Sequence, residues 1–138
     1  MNTCGVITTY HEQACGINCE CNEKTGDRIS EVYFQNGGKK EGNYKKYYHN
    51  GKISIECNYI NNKKEGIYKQ YLSNGQLHFK CNFIDDKKEG EYKLYWNNGQ
   101  IELEYNYIDD KIEGEYKQYD WNGQLLEICY YVNDKKIE

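Results

Sequence analysis

The chain has 138 residues, 18 basic and 22 acidic, for a net charge of −4, and it contains no proline. Its size fits one domain, no apolar run approaches the ~18 residues of a membrane-spanning helix, and a net negative chain is poorly suited to polybasic contact with nucleic acid or anionic lipid. Leu, Ile, Val and Phe total only 25 residues, a level that suggests disorder, but 16 tyrosines supply apolar area that this count omits.

Residues 1–25 hold Cys4, Cys15, Cys19 and Cys21 together with His11. Four thiolates, or three with an imidazole, would satisfy tetrahedral zinc, but the spacing lacks the paired C-x2-C knuckles of a typical zinc site. A disulfide such as Cys4–Cys15 or Cys15–Cys21 is the alternative in an oxidising compartment. Free thiols in a segment that caps the array are the third reading and the one the spacing favours. No basic stretch followed by an apolar one opens the chain, so a secretory leader is not expected and a cytoplasmic location is.

From residue 26 to 138 the chain repeats. Glu-Gly recurs at Gly42, Gly66, Gly90 and Gly114, and Asn-Gly at Gly51, Gly75, Gly99 and Gly123, always 24 residues apart. A weaker earlier unit fits the same frame through Ile29, Tyr33 and residues 39–42, and residues 133–138 open a further unit. Within a unit the period is two: Ile53, Ile55, Cys57 and Tyr59 alternate with Lys52, Ser54, Glu56 and Asn58, the pattern of a half-buried strand. Asn50-Gly51 predicts a two-residue type I′ hairpin turn, which sets Tyr48 opposite Ile53, Lys46 opposite Ile55 and Tyr44 opposite Cys57. A second two-residue turn at Asn61-Asn62, repeated at Asp85-Asp86, Asp109-Asp110 and Asn133-Asp134, sets Ile55 opposite Tyr68. Both turns assign the same residues to the same face. The expected fold is all-β: an elongated, single-layer, twisted antiparallel sheet of stacked 24-residue hairpins, with about nine or ten strands and a length of about 45 Å.

This register puts Tyr44, Ile53, Ile55 and Tyr59, with their equivalents, on an inner packing face. Tyr47, Tyr71, Tyr95 and Tyr119 fall on the outer face, either packed on backbone and lysine stems or offered as a recognition ladder. The last unit departs from the polar outer pattern, with Leu126, Ile128 and Tyr130 where earlier units carry Ser, His, Glu, Lys or Asn. A strand over 124–132, apolar on both faces, would expose an edge able to pair with another chain unless residues 133–138 cover it. Leu126, Ile128, Tyr130 and Cys129 are therefore the candidate interaction edge.

Cys57, Cys81 and Cys129 share one column, and strands two apart are too distant for a disulfide, so these cysteines read as small inward fillers. Catalysis has no motif to rest on: His11, His49 and His78 share no column. The acidic turns at Asp85-Asp86 and Asp109-Asp110, with Glu89 and Glu113 three residues on, are explained by turn chemistry better than by calcium. The lysine row of Lys63-Lys64 and Lys87-Lys88 is balanced by neighbouring acids.

Residues 42–53, 66–77, 90–101 and 114–125 follow Gly-x-Tyr/Trp-Lys-x-Tyr-Tyr-x-Asn-Gly-Gln-Leu almost residue for residue, and this resembles the MORN repeat in its variant, antitoxin-like form. The resemblance implies an open sheet of hairpins used in protein or membrane-surface association, with no activity shared across the family. Such repeats also occur in bacterial antitoxin-like proteins and in large DNA viruses of protists. The abundance of Ile, Lys, Asn and Tyr is what an AT-rich genome, such as that of a giant virus, would favour, in which case the location is the host cytoplasm. The functional expectation is a non-enzymatic scaffold for protein–protein interaction, without cofactor, self-associating as a homodimer through its terminal edge. The alternatives are an antitoxin-like inhibitor of one partner enzyme or a membrane-surface adaptor.

Overall fold

Alternating side chains make the strands, and residues able to take positive φ decide where each one turns. The computed structural model describes residues 2–8 and 29–137. These form thirteen strands in one antiparallel sheet: β1 (Asn2–Thr8), β2 (Ile29–Asn36), β3 (Lys39–Tyr47), β4 (Ile53–Ile60), β5 (Lys63–Lys64), β6 (Gly66–Tyr71), β7 (Leu77–Ile84), β8 (Lys87–Lys88), β9 (Gly90–Tyr95), β10 (Ile101–Ile108), β11 (Lys111–Tyr119), β12 (Leu125–Val132) and β13 (Lys135–Ile137). Neighbours in sequence are neighbours in the sheet, with the two-residue β5 and β8 attached to β4 and β7. The strand count exceeds the nine or ten expected partly because β5 and β8 break from β6 and β9 just before Gly66 and Gly90, which hold φ of 82° and 80°. Only glycine adopts that conformation without steric cost.

The two turns differ from each other. At Asn61-Asn62, Asp85-Asp86, Asp109-Asp110 and Asn133-Asp134 both residues hold positive φ, between 49° and 69°, as the expected two-residue turn requires. At Asn50-Gly51 only the glycine does. The Gly51 amide donates to the Tyr48 carbonyl at 2.9 Å and the Tyr48 amide to the Lys52 carbonyl at 2.8 Å. The loop is thus a three-residue one ending in a left-handed glycine, and the type I′ expectation is corrected. Leu72/Gly75, Trp96/Gly99 and Asp120/Gly123 repeat it.

An extra loop residue shifts the register by one, so Tyr47, and not Tyr48, pairs with Ile53. A bulge then leaves Ser54 without a partner and restores Lys46↔Ile55 and Tyr44↔Cys57 as expected. Because paired residues share a face, Ile53 lies with the outer tyrosine column and not on the inner face; Leu77, Ile101 and Leu125 follow it, opposite Tyr71, Tyr95 and Tyr119. Beyond the second turn, Tyr59↔Lys64 holds but Ile55 meets Gln70 in place of Tyr68. The slip at Glu65-Gly66 is two residues, an even number, so the faces survive it.

Tyr33, Tyr44 and Cys57 form a buried cluster, with Ile55, Tyr59 and Tyr68 packed against it. No described side chain is wholly buried. A single layer has only its own rings to cover it.

Candidate interaction surfaces

The inner face is a file of aromatic rings. Successive centroids from Tyr68 through Phe79, Tyr92, Tyr105 and Tyr116 stand 5.8, 5.6, 4.7 and 5.3 Å apart, all stacked; Tyr131 follows at 5.3 Å, tilted. Lysines two residues before three of the four Glu-Gly glycines cover rings of this face; before Gly114 the place is held by Ile112. The Lys40 ammonium stands 4.6 Å from the Tyr44 ring centroid and 4.8 Å from that of Tyr33, Lys64 stands 5.1 Å from Phe83, and Lys88 stands 4.8 Å from Tyr107. A cation over a ring face is attracted by its quadrupole while its stem covers apolar area. This role of the row was missed in the sequence, although the 24-residue lysine column signalled it. Burial pushes the Tyr59 and Tyr92 phenols up to about 12 and the Cys57 and Cys81 thiols up to about 11. Cys57, Cys81 and Cys129 are buried and free, as inward fillers should be; the remaining place in their column is Tyr105. A face of protonated phenols and thiols is suited to packing and not to nucleophilic chemistry.

Both margins are laced from one repeat to the next. At the three-residue loops, Asn50 Oδ1 accepts the Lys52 amide at 3.0 Å while Asn50 Nδ2 donates to the Ser73 carbonyl at 2.7 Å. Asn98 does the same toward Gln100 and Trp121. At these two loops the asparagine of Asn-Gly thus serves as a two-ended amide and does not take positive φ. At the opposite margin, Glu41, Glu65, Glu89 and Glu113 each accept the first amide of the following turn, at 2.8 Å. Asp86, Asp110 and Asp134 accept the amides of Lys64, Lys88 and Ile112 at 2.7–2.8 Å. Lys63 and Lys87 pair with Asp85 and Asp109 at 2.8 and 2.5 Å. These carboxylates are occupied by turn chemistry, and no metal-holding cluster occurs among the described residues.

On the outer face, the candidate ladder Tyr47, Tyr71, Tyr95 and Tyr119 is half-buried. Tyr71 donates to Glu56 at 2.9 Å and Tyr119 to Glu104 at 2.6 Å. Burial and then the Glu56 bond raise the Tyr71 phenol to about 12. Burial opposes ionisation of Glu56, but donors on Tyr71 and Lys69 outweigh it and hold the carboxyl below its usual range. Tyr95 lacks such a carboxylate because Lys80 occupies the equivalent place. The ladder's hydroxyls therefore serve the sheet at two of four positions.

The C-terminal strand carries a different surface. Leu126, Ile128 and Tyr130 are 62%, 47% and 49% exposed, while Cys129 between them is 8% exposed. The four candidate edge residues thus separate into Ile128 and Tyr130 on the outer face, Leu126 exposed at the unpaired bulge and Cys129 inside. β13 pairs with Tyr130, Tyr131 and Val132, so the strand expected to be terminal has a neighbour along its last third. On the inner side, Glu127 stands where Ile55, Phe79 and Leu103 stand in earlier units and is joined to Lys136. Leu125, Val132, Ile137 and the turn residue Trp121 are also exposed. Sequence reasoning missed these, Leu125 because its strand carries the unforeseen bulge.

Of the candidate zinc set, Cys4 lies on β1, where its backbone is paired opposite Phe34, and Cys15, Cys19 and Cys21 lie outside the described residues, as does most of the expected capping segment. No helix among the described residues is long and apolar enough to cross a membrane.

A family model described as MORN repeat variant matches residues 40–61, 64–85, 88–109 and 112–133, well over half the chain. No curated protein matches it.

Proposed function

We propose a non-catalytic role for this chain, which belongs to the MORN repeat variant family: it is a laced, rigid scaffold that binds protein at its C-terminal end. One observation carries this reading. Of the eleven large hydrophobic side chains exposed among the described residues, seven fall within residues 121–137. Scattered exposed apolar residues are ordinary, but a contiguous patch marks an interaction site. The rest of the surface supports the same assignment, since outer-face carboxylates, phenols and lysines mostly satisfy one another.

A photo-crosslinking residue placed at 126 and, separately, at 78 in the native setting tests the scaffold. Protein adducts are expected at 126 and not at 78; equal labelling, or none at 126, would refute it. An antitoxin-like inhibitor would give one stoichiometric enzyme partner in that assay. A membrane-surface adaptor finds support in the exposed row Ile60, Ile84, Ile108 and Val132, each paired with a lysine. Its cations at Lys63 and Lys87 are taken up by aspartates, and flotation with anionic vesicles at low salt decides the matter.

A further inference from the structure

We propose that the occupant of the C-terminal surface is a second copy of this chain, stacked outer face on outer face along β12. The inference rests on the reading of this end as the docking surface and names its partner.

Continuation of the sheet is disfavoured by residue identity. Each of the four Asn/Asp turns is held by a glutamate of the preceding unit, at 41, 65, 89 and 113. The next place in that column is Ile137, which offers a further turn no carboxylate. The inner side is closed by the Glu127–Lys136 pair. Polarity is thus inverted in the last unit: the acid has moved inward and the apolar side chains outward. A sheet one layer thick gains by such stacking the second layer that it lacks, as two aligned sheets about 10 Å apart.

The surface complements itself. A two-fold axis along β12 lays each β12 on its copy, apolar on apolar, and sets β13 of one protomer over β11 of the other; such an interface is isologous and closes as a dimer. Lys135 extends from the β13 side, paired in register with Val132 and engaged in no ion pair among the described residues. Glu115 stands on the β11 side opposite Tyr130; within the protomer it pairs with Lys117 at 2.5 Å, and its side chain stays 41% exposed. The axis brings these opposite charges toward each other at both flanks. Half-exposed side chains at seven positions amount to on the order of 600 Å² of surface. With the flanking Lys117, Tyr119 and Lys135 this approaches the ~800 Å² per partner of a standard interface.

Sedimentation analysis of the full chain over a concentration series tests this. The wild type should be a dimer. Leu126→Lys with Ile128→Lys should be a monomer with an unchanged far-ultraviolet dichroism spectrum. Lys135→Glu should weaken the dimer about tenfold, as two symmetry-related exposed pairs are lost, and adding Glu115→Lys should restore it; this charge swap decides the question should the double-lysine variant fail to fold. A monomeric wild type, a dimer indifferent to Ile128→Lys, or no rescue by the swap overturns the inference. Crosslinking at 126 to some other protein, with a monomeric wild type, overturns the inference and leaves the scaffold standing. No crosslinking at 126 overturns the scaffold too.

Discussion

Replacing Asn98 by aspartate alters one end of a single amide. In the native loop Asn98 Oδ1 accepts the Gln100 amide at 3.0 Å and Nδ2 donates to the Trp121 carbonyl at 2.7 Å. Asn98→Asp keeps the acceptor, loses the donor and sets a carboxylate against a carbonyl. One lost hydrogen bond at an exposed margin costs ~1 kcal/mol, or roughly 3 °C in Tm for a chain of this size. Asn98→Ala loses both bonds and should cost roughly twice as much. The pH dependence separates the causes. A protonated carboxyl can donate to the Trp121 carbonyl, so the introduced group should have a folded-state pKa above its unfolded value of about 3.9. Its stabilising contribution is then present below that value and lost as pH rises through the folded one. Measured against wild type at each pH by urea unfolding, the Asn98→Asp penalty should therefore shrink at about pH 3, while that of Asn98→Ala stays constant. Equal penalties for the two variants, or a pH-independent one for Asn98→Asp, would refute the two-ended amide.

Three further outcomes follow from the inner face and the clamps. Lys64→Met keeps the stem over Tyr68 and Phe83 but removes the charge, and should cost ~0.5–1 kcal/mol; Lys64→Ala should cost more, and equality of the two in thermal melts would argue against a cation effect. Native phenols held at about 12 at Tyr59, Tyr71 and Tyr92 stabilise the fold below their unfolded value of about 10, and that contribution disappears as pH rises toward 12. Alkaline unfolding should accordingly release several protons cooperatively, and tyrosine absorbance should follow unfolding; independent titration of these phenols near 10 would contradict this. Glu89→Ala frees the Asp109 amide and should raise its hydrogen-exchange rate, with little change at the Asp85 turn, which Glu65 holds; uniform acceleration would show that the clamps do not act locally.

Much of this architecture was legible in the sequence because 24-residue columns record which residues must recur. The Tyr44 and Cys57 columns gave the inner face, and the paired Asn/Asp turns declared themselves by residues that tolerate positive φ. The loop at Asn50-Gly51 was misjudged because its glycine suits both a two-residue turn and the longer loop. The compensating bulge at Ser54 hid that error for all pairs beyond it and exposed it only at Ile53 and its equivalents Leu77, Ile101 and Leu125. The Glu-Gly slip was invisible for a related reason: an even shift leaves periodicity intact.

By itself, the sequence determined a repeating antiparallel sheet, its faces apart from the Ile53 column, and the departure of its last unit, because patterning and turn chemistry are local properties. Only the tertiary structure decided how repeats are fastened. A bond from Glu89 to Asp109 or from Asn98 to Trp121 spans 20 or 23 residues and depends on how far neighbouring hairpins are offset. The same offsets decided that β13 lies along the end of β12 and that Leu126, Ile128 and Tyr130 remain exposed. Exposure is set by what stacks beside a residue, and that is a property of the assembled sheet.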